Sequence, residues 1–181
     1  MSIRANRTFI FALLPLIAAI PALAQGSLEN GVYQDQTGVK FTLQPDWVVV
    51  SHASASDGAH TVLLRDTITN VIATVWLKSR TVDPADIPAL MSRRLGSKLA
   101  QRNNFEGYRY RPESVQNSTI GGRPALSAVA DYVQAGQKMV EYLTWVDGER
   151  SRVAFVARMP ASELADFQGR FEAVIQSAVV P

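Results

Sequence analysis

The stretch TIGGRPALSAVADYV, residues 119–133, decides how the chain is read. Two glycines and an arginine ahead of an apolar run resemble a phosphate-cradling loop. Such a loop, however, needs a helix after its glycines, whose free amides point at the anion. Gly121 and Gly122 lead instead into Arg123, Pro124 and a run of period two, with Leu126, Ala128, Ala130 and Tyr132 on one face. The glycines therefore join two strands.

The same period extends outward. Strands are expected over 114–120, 123–133, 138–146 and 151–157, separated by Gly121-Gly122, Ala135-Gly136 and Asp147-Gly148. Each pair contains a glycine able to supply the positive φ of a tight hairpin. Upstream, a strand through Arg109 and Arg111 ends before Pro112. Nearer the start, short strands are expected near Val32 and over 39–43 and 47–51, punctuated by Thr37-Gly38 and Pro45-Asp46. A polar loop, ASASDGA, leads to strands over 61–65 and 71–78. In VIATVWL, Val71, Ala73, Val75 and Leu77 share one face while Ile72 and Trp76 occupy the other. A strand apolar on both sides calls for cover on both sides.

Two helices are expected to supply it. Ile87, Leu90, Met91, Leu95 and Leu99 fall at helical spacing, with Asp83 or Asp86 available to cap the start. Near the end, Leu164, Phe167, Phe171, Val174, Ile175 and Ala178 trace one helical face, with Glu163 and Asp166 near its positive start. The element order gives an α+β domain: a central, mainly antiparallel sheet flanked by helices on both faces, a three-layer α/β/α sandwich.

This arrangement resembles the PsbP-like fold of the photosystem II extrinsic protein, a Ran-binding family and bacterial envelope proteins of the DcrB type. GVKFTLQPDWVV, GGRPALSAVADYV and VAFVARMPASELADFQGRFEAVIQS carry the likeness. The resemblance implies membership of a mostly non-enzymatic fold family whose proteins bind or assemble with another protein and share no catalytic residues; no cofactor is expected.

Arg4 and Arg7 precede an apolar stretch from Phe9 to Ile20, and Ala22 and Ala24 occupy the small-residue positions before Gln25. This reads as a secretory signal peptide over 1–24, cleaved after Ala24, leaving one domain over 25–181 in the periplasm or outside the cell. The apolar core is shorter than the ~20 residues of a membrane span. Of 18 basic residues Arg4 and Arg7 leave with the leader, so 16 remain against 16 acidic ones. Net charge gives no support to nucleic-acid binding. With no cysteine, thiol catalysis and Cys-ligated metals are excluded, and stability must come from packing.

Candidate sites are few. His52, Asp57 and His60 are metal-binding residue types at no recognised ligand spacing, and two surface histidines at strand ends are the plainer reading. There is no G-x-S-x-G, and Asp83 with Asp86, or Asp147 with Glu149, are explained by caps and turns. The uneven feature is charge: Arg93, Arg94, Lys98, Arg102, Arg109 and Arg111 stand against Glu106 alone. Arg94, Lys98 and Arg102 recur every fourth residue and so line one helix side. Such a ridge suits another envelope protein with an acidic surface or anionic lipid headgroups, beside the plainer reading of a solvated helix face. Trp47, Trp76, Trp145, Tyr132 and Tyr142 are read as core, with a pocket between sheet and helix as the alternative. That pocket would make the chain a carrier or sensor of a small apolar ligand.

Overall fold

A computed structural model of the chain describes residues 26–54, 58–79 and 105–181. The leader over 1–24, the helix expected around Ile87–Leu99 and residues Asp57, Arg93, Arg94, Lys98 and Arg102 lie outside the described residues.

Three short strands, β1 (Gly26–Glu29), β2 (Val32–Asp35) and β3 (Lys40–Thr42), form an antiparallel sheet of their own. Eight more build a large antiparallel sheet: β4 (Trp47–Ser54), β5 (His60–Asp66), β6 (Ile72–Ser79), β7 (Glu106–Tyr110), β8 (Gln116–Ile120), β9 (Arg123–Gln134), β10 (Gln137–Asp147) and β11 (Ser151–Pro160). Their order is β4-β5-β6-β11-β10-β9-β7, with β8 also on β9. The helix α1 (Leu164–Gln176) closes the chain.

The hairpins form where the turn residues direct them. Gly121 and Gly122 hold φ of +56° and +77°, and Ala135 and Gly136 hold +50° and +77°. Both central residues at positive φ twist the chain in the sense a two-residue hairpin needs. These two turns set the β8–β9 and β9–β10 hairpins, whereas the β10–β11 turn forms without the positive φ expected of Gly148 and is closed by Gly148 N–H on the Ser151 carbonyl at 2.9 Å. β9, β10 and β11 make a long meander, Trp145 opposite Leu126 on one side and Ala154 on the other.

One face of the large sheet carries Val62, Leu64, Ala73, Val75, Leu77, Val129, Tyr142, Val153, Phe155 and Ala157 into the main core. α1 lies on this face because Phe167, Phe171, Val174 and Ile175 recur at helical spacing and are buried against it. Phe171 stacks on Trp47 at 5.6 Å between ring centres and meets Tyr142 edge-on at 6.0 Å. Burying each such side chain contributes about 1.5–3 kcal/mol. The three-stranded sheet covers the rest of the face: Phe41 meets Phe155 edge-on at 5.9 Å, and Tyr33 is buried beside it.

The three-layer α/β/α sandwich is therefore not the architecture. The protein is mostly antiparallel sheet, and the only α-helix among the described residues, α1, packs on one face. A small sheet shares that face with the helix. The alternation over 32–43 suggests strands of the central sheet, but Pro45 and the turn closed by Trp47 N–H on the Gln44 carbonyl redirect the chain after β3. Period two marks a strand but not the sheet it joins.

The opposite face is apolar in its middle, where Leu126, Ala128, Leu143, Trp145, Ala154 and Val156 are buried with Trp76 packed beside them. The expectation for β6 holds unevenly: Trp76 joins this second cluster, while Ile72 is 42% exposed.

Candidate functional site

The β10–β11 hairpin places charge at both ends of the second apolar face. Asp147 lies opposite Arg152 and Glu141 opposite Arg158. Arg152 Nη2 donates to Asp147 Oδ1 at 2.9 Å and its guanidinium lies 5.4 Å from the Trp145 ring centre. At the other end, the Glu141 carboxylate is buried. Its Oε2 accepts from Arg158 Nε at 2.6 Å and its Oε1 from the Tyr108 hydroxyl at 2.7 Å. Three aromatic rings wall this pair: Phe105 lies 4.2 Å from Tyr132 and 6.1 Å from Tyr108, and Arg158 sits 5.4 Å from the Phe105 centre. Burial pushes the Tyr132 hydroxyl up from its ordinary pKa, and both charges of the pair act on it.

Sequence reasoning missed this cluster, although a signal for it exists. Counting outward from the Asp147-Gly148 turn pairs Asp147 with Arg152 and, six residues further along each strand, Glu141 with Arg158. Lone opposite charges at matching depth in two apolar strands mark a cross-strand pair.

Of the basic residues singled out, Arg109 and Arg111 are described. Arg109 lies on β7 opposite Asp131. Arg111 grips the same carboxylate with two bonds, Nε to Oδ2 at 2.9 Å and Nη2 to Oδ1 at 2.7 Å. That forked bond holds the Asp131 carboxyl below the ordinary range. Arg111 thus anchors the chain beyond β7 to β9.

The histidines sit at the seam between the two sheets. His52 is exposed on β4 and stacks on Tyr33 at 5.6 Å. His60 is buried, a correction to its reading as a surface residue. Its Nδ1 lies 2.9 Å from Ser54 Oγ and its Nε2 2.7 Å from Gln36 Nε2. Both ring nitrogens are occupied in joining β5 to β4 and to the residue after β2. No group of three potential metal ligands occurs among the described residues. Burial, with Asp35 nearby, pushes the Tyr33 hydroxyl up to about 12.

The five aromatics do not line one pocket. Trp47 and Tyr142 belong to the core beneath α1, whereas Trp76 and Trp145 belong to the second cluster and Tyr132 stacks on Phe105. The sheet separates them. Tyr142 instead donates to Glu172 of α1 at 2.9 Å.

No family model matches the chain, and no curated protein does. Among solved structures it is similar to cyanobacterial PsbP (CyanoP) from Synechocystis sp. PCC 6803, with a TM-score of 0.61 and 14% identity over 83% of this chain and 91% of that one. The fold is PsbP-like. A second PsbP-like neighbour in shape is LpqN of Mycobacterium tuberculosis, described as involved in cell envelope biogenesis. It has a TM-score of 0.57 and 14% identity, over 80% of this chain and 84% of that one.

Proposed function

We propose that this protein is exported after cleavage behind Ala24 and that its single domain, residues 25–181, is a non-catalytic accessory protein that binds or helps assemble another component of the cell envelope. The observation that carries this reading is the PsbP-like fold shared with LpqN, a protein involved in envelope biogenesis. The chemistry of the described charges agrees with it: Asp66, Asp131, Glu141 and Asp147 are each bound to an arginine of the same chain. These carboxylates hold strands and helix together.

The partner surface of this reading is the basic group Arg93, Arg94, Lys98, Arg102, Arg109 and Arg111, of which Arg111 is also bound to Asp131. It would face an acidic protein surface, with anionic lipid headgroups as the competing ligand.

The test is capture of the exported chain with its neighbours from detergent-solubilised envelope of the source cell, at low and at high salt, and then reciprocal capture from the partner's side. One protein recovered near stoichiometry both ways is the expected result. Replacing Arg94, Lys98 and Arg102 together by Gln should lower its recovery at low salt. No partner in either wash would overturn the accessory reading, and unchanged recovery by the triple variant would remove the basic group from it.

A further inference from the structure

The Glu141–Arg158 cluster holds hydrogen-bond donors that no described residue uses. Both oxygens of Glu141 are taken, by Tyr108 and by Arg158 Nε. Two buried donors are left over: Arg158 Nη2 and the hydroxyl of Tyr132, a residue only 3% exposed, have no partner among the described residues. Both border Phe105, whose ring lies 4.2 Å from Tyr132 and 5.4 Å from the Arg158 guanidinium carbon. A buried donor without an acceptor is costly, and folded proteins almost always supply one.

The charge on the cluster selects the acceptor. Arg158 and Glu141 neutralise each other at 2.6 Å, and Tyr132, with its hydroxyl pushed up by burial, is neutral. An anion would add an uncompensated charge beside three aromatic rings, which burial penalises. A neutral carbonyl oxygen satisfies the donors and adds none.

We propose that Tyr132 and Arg158, walled by Phe105 and Tyr108, form a binding site for a neutral carbonyl group of the amide kind. In this site the carbonyl accepts from Tyr132 Oη–H and Arg158 Nη2–H, the two buried donors without a partner among the described residues. Phe105 and Tyr108 are themselves partly exposed, and the Arg158 side chain is 32% exposed, so the site lies one side-chain layer below the surface. The proposal does not depend on the accessory reading, because a free amide tests it with no partner present.

The experiment titrates N-methylacetamide, and separately acetate, into the isotope-labelled exported chain, with the Arg158 side-chain and Tyr132 ring resonances monitored by NMR. N-methylacetamide is expected to shift both sets saturably, with acetate binding more weakly. Tyr132→Phe, which keeps the ring and removes the donor, should weaken amide binding about tenfold while leaving the rest of the spectrum in place. Tyr110→Phe, on the same strand pair outside the cluster, should leave binding unchanged. Three outcomes overturn the proposal: no saturable shift with N-methylacetamide, undiminished binding by Tyr132→Phe, or tighter binding of acetate than of the amide.

Discussion

Arg170 on α1 reaches Asp66 at the end of β5, with Nη2 2.7 Å from Oδ2, and so joins residues 104 positions apart in the chain. Asp66 is fully buried. Its other bonds come from the Ile68 N–H at 3.1 Å and the Thr69 hydroxyl at 2.7 Å, which shape the β5–β6 turn. Removing the arginine would leave a buried carboxylate with only neutral donors. Arg170→Ala is expected to destabilise the protein by about 3 kcal/mol, measured by urea unfolding. A loss near zero would mean that solvent reaches Asp66.

The same contact sets an acid limit. Burial disfavours the Asp66 carboxylate, but the bonds from Arg170, Thr69 and Ile68 outweigh it and hold its pKa below the ordinary range; Asp131 is held low by Arg111. A lowered folded pKa means that the unfolded chain binds protons first as pH falls. This stabilisation is complete above the ordinary carboxylate range and is lost as pH drops through the folded values. Unfolding free energy should therefore decline below about pH 4, and the decline should be shallower in Asp66→Asn.

Gly121 and Gly122 share a turn but not a fate on substitution. A Cβ on Gly121 would stand 2.6 Å from the Ala178 carbonyl oxygen, whereas one on Gly122 meets nothing within 4 Å. Both hold positive φ, which costs an alanine about 1 kcal/mol. Gly121→Ala carries the collision in addition, and its midpoint in thermal unfolding should fall clearly below that of Gly122→Ala.

Phe171 is fully buried at the meeting of Trp47, Tyr142, Phe155 and Phe167. Truncation to alanine opens a cavity where helix and sheet meet. Phe171→Ala is expected to cost about 3–5 kcal/mol, while Ser162→Ala, at an exposed position just before α1, should change stability little in the same denaturant series.

By itself the sequence determined the strands from β2 through β11, the hairpin turns and the closing helix, because these depend on local period and on turn residues, which hold positive φ at 121–122 and 135–136 but not at Gly148. Gly121-Gly122 read as a turn is the clearest instance. The PsbP-like resemblance rested on the same segments. Only the tertiary structure decided which strands share a sheet, that β1, β2 and β3 cover the face beside α1, and that Trp47 and Trp145 lie on opposite sides. It also decided that His60 is buried and that Glu141, Arg158, Tyr132 and Phe105 form one cluster. Side-chain alternation records a strand's period locally, but which strand lies beside it is set by packing between residues far apart in the chain.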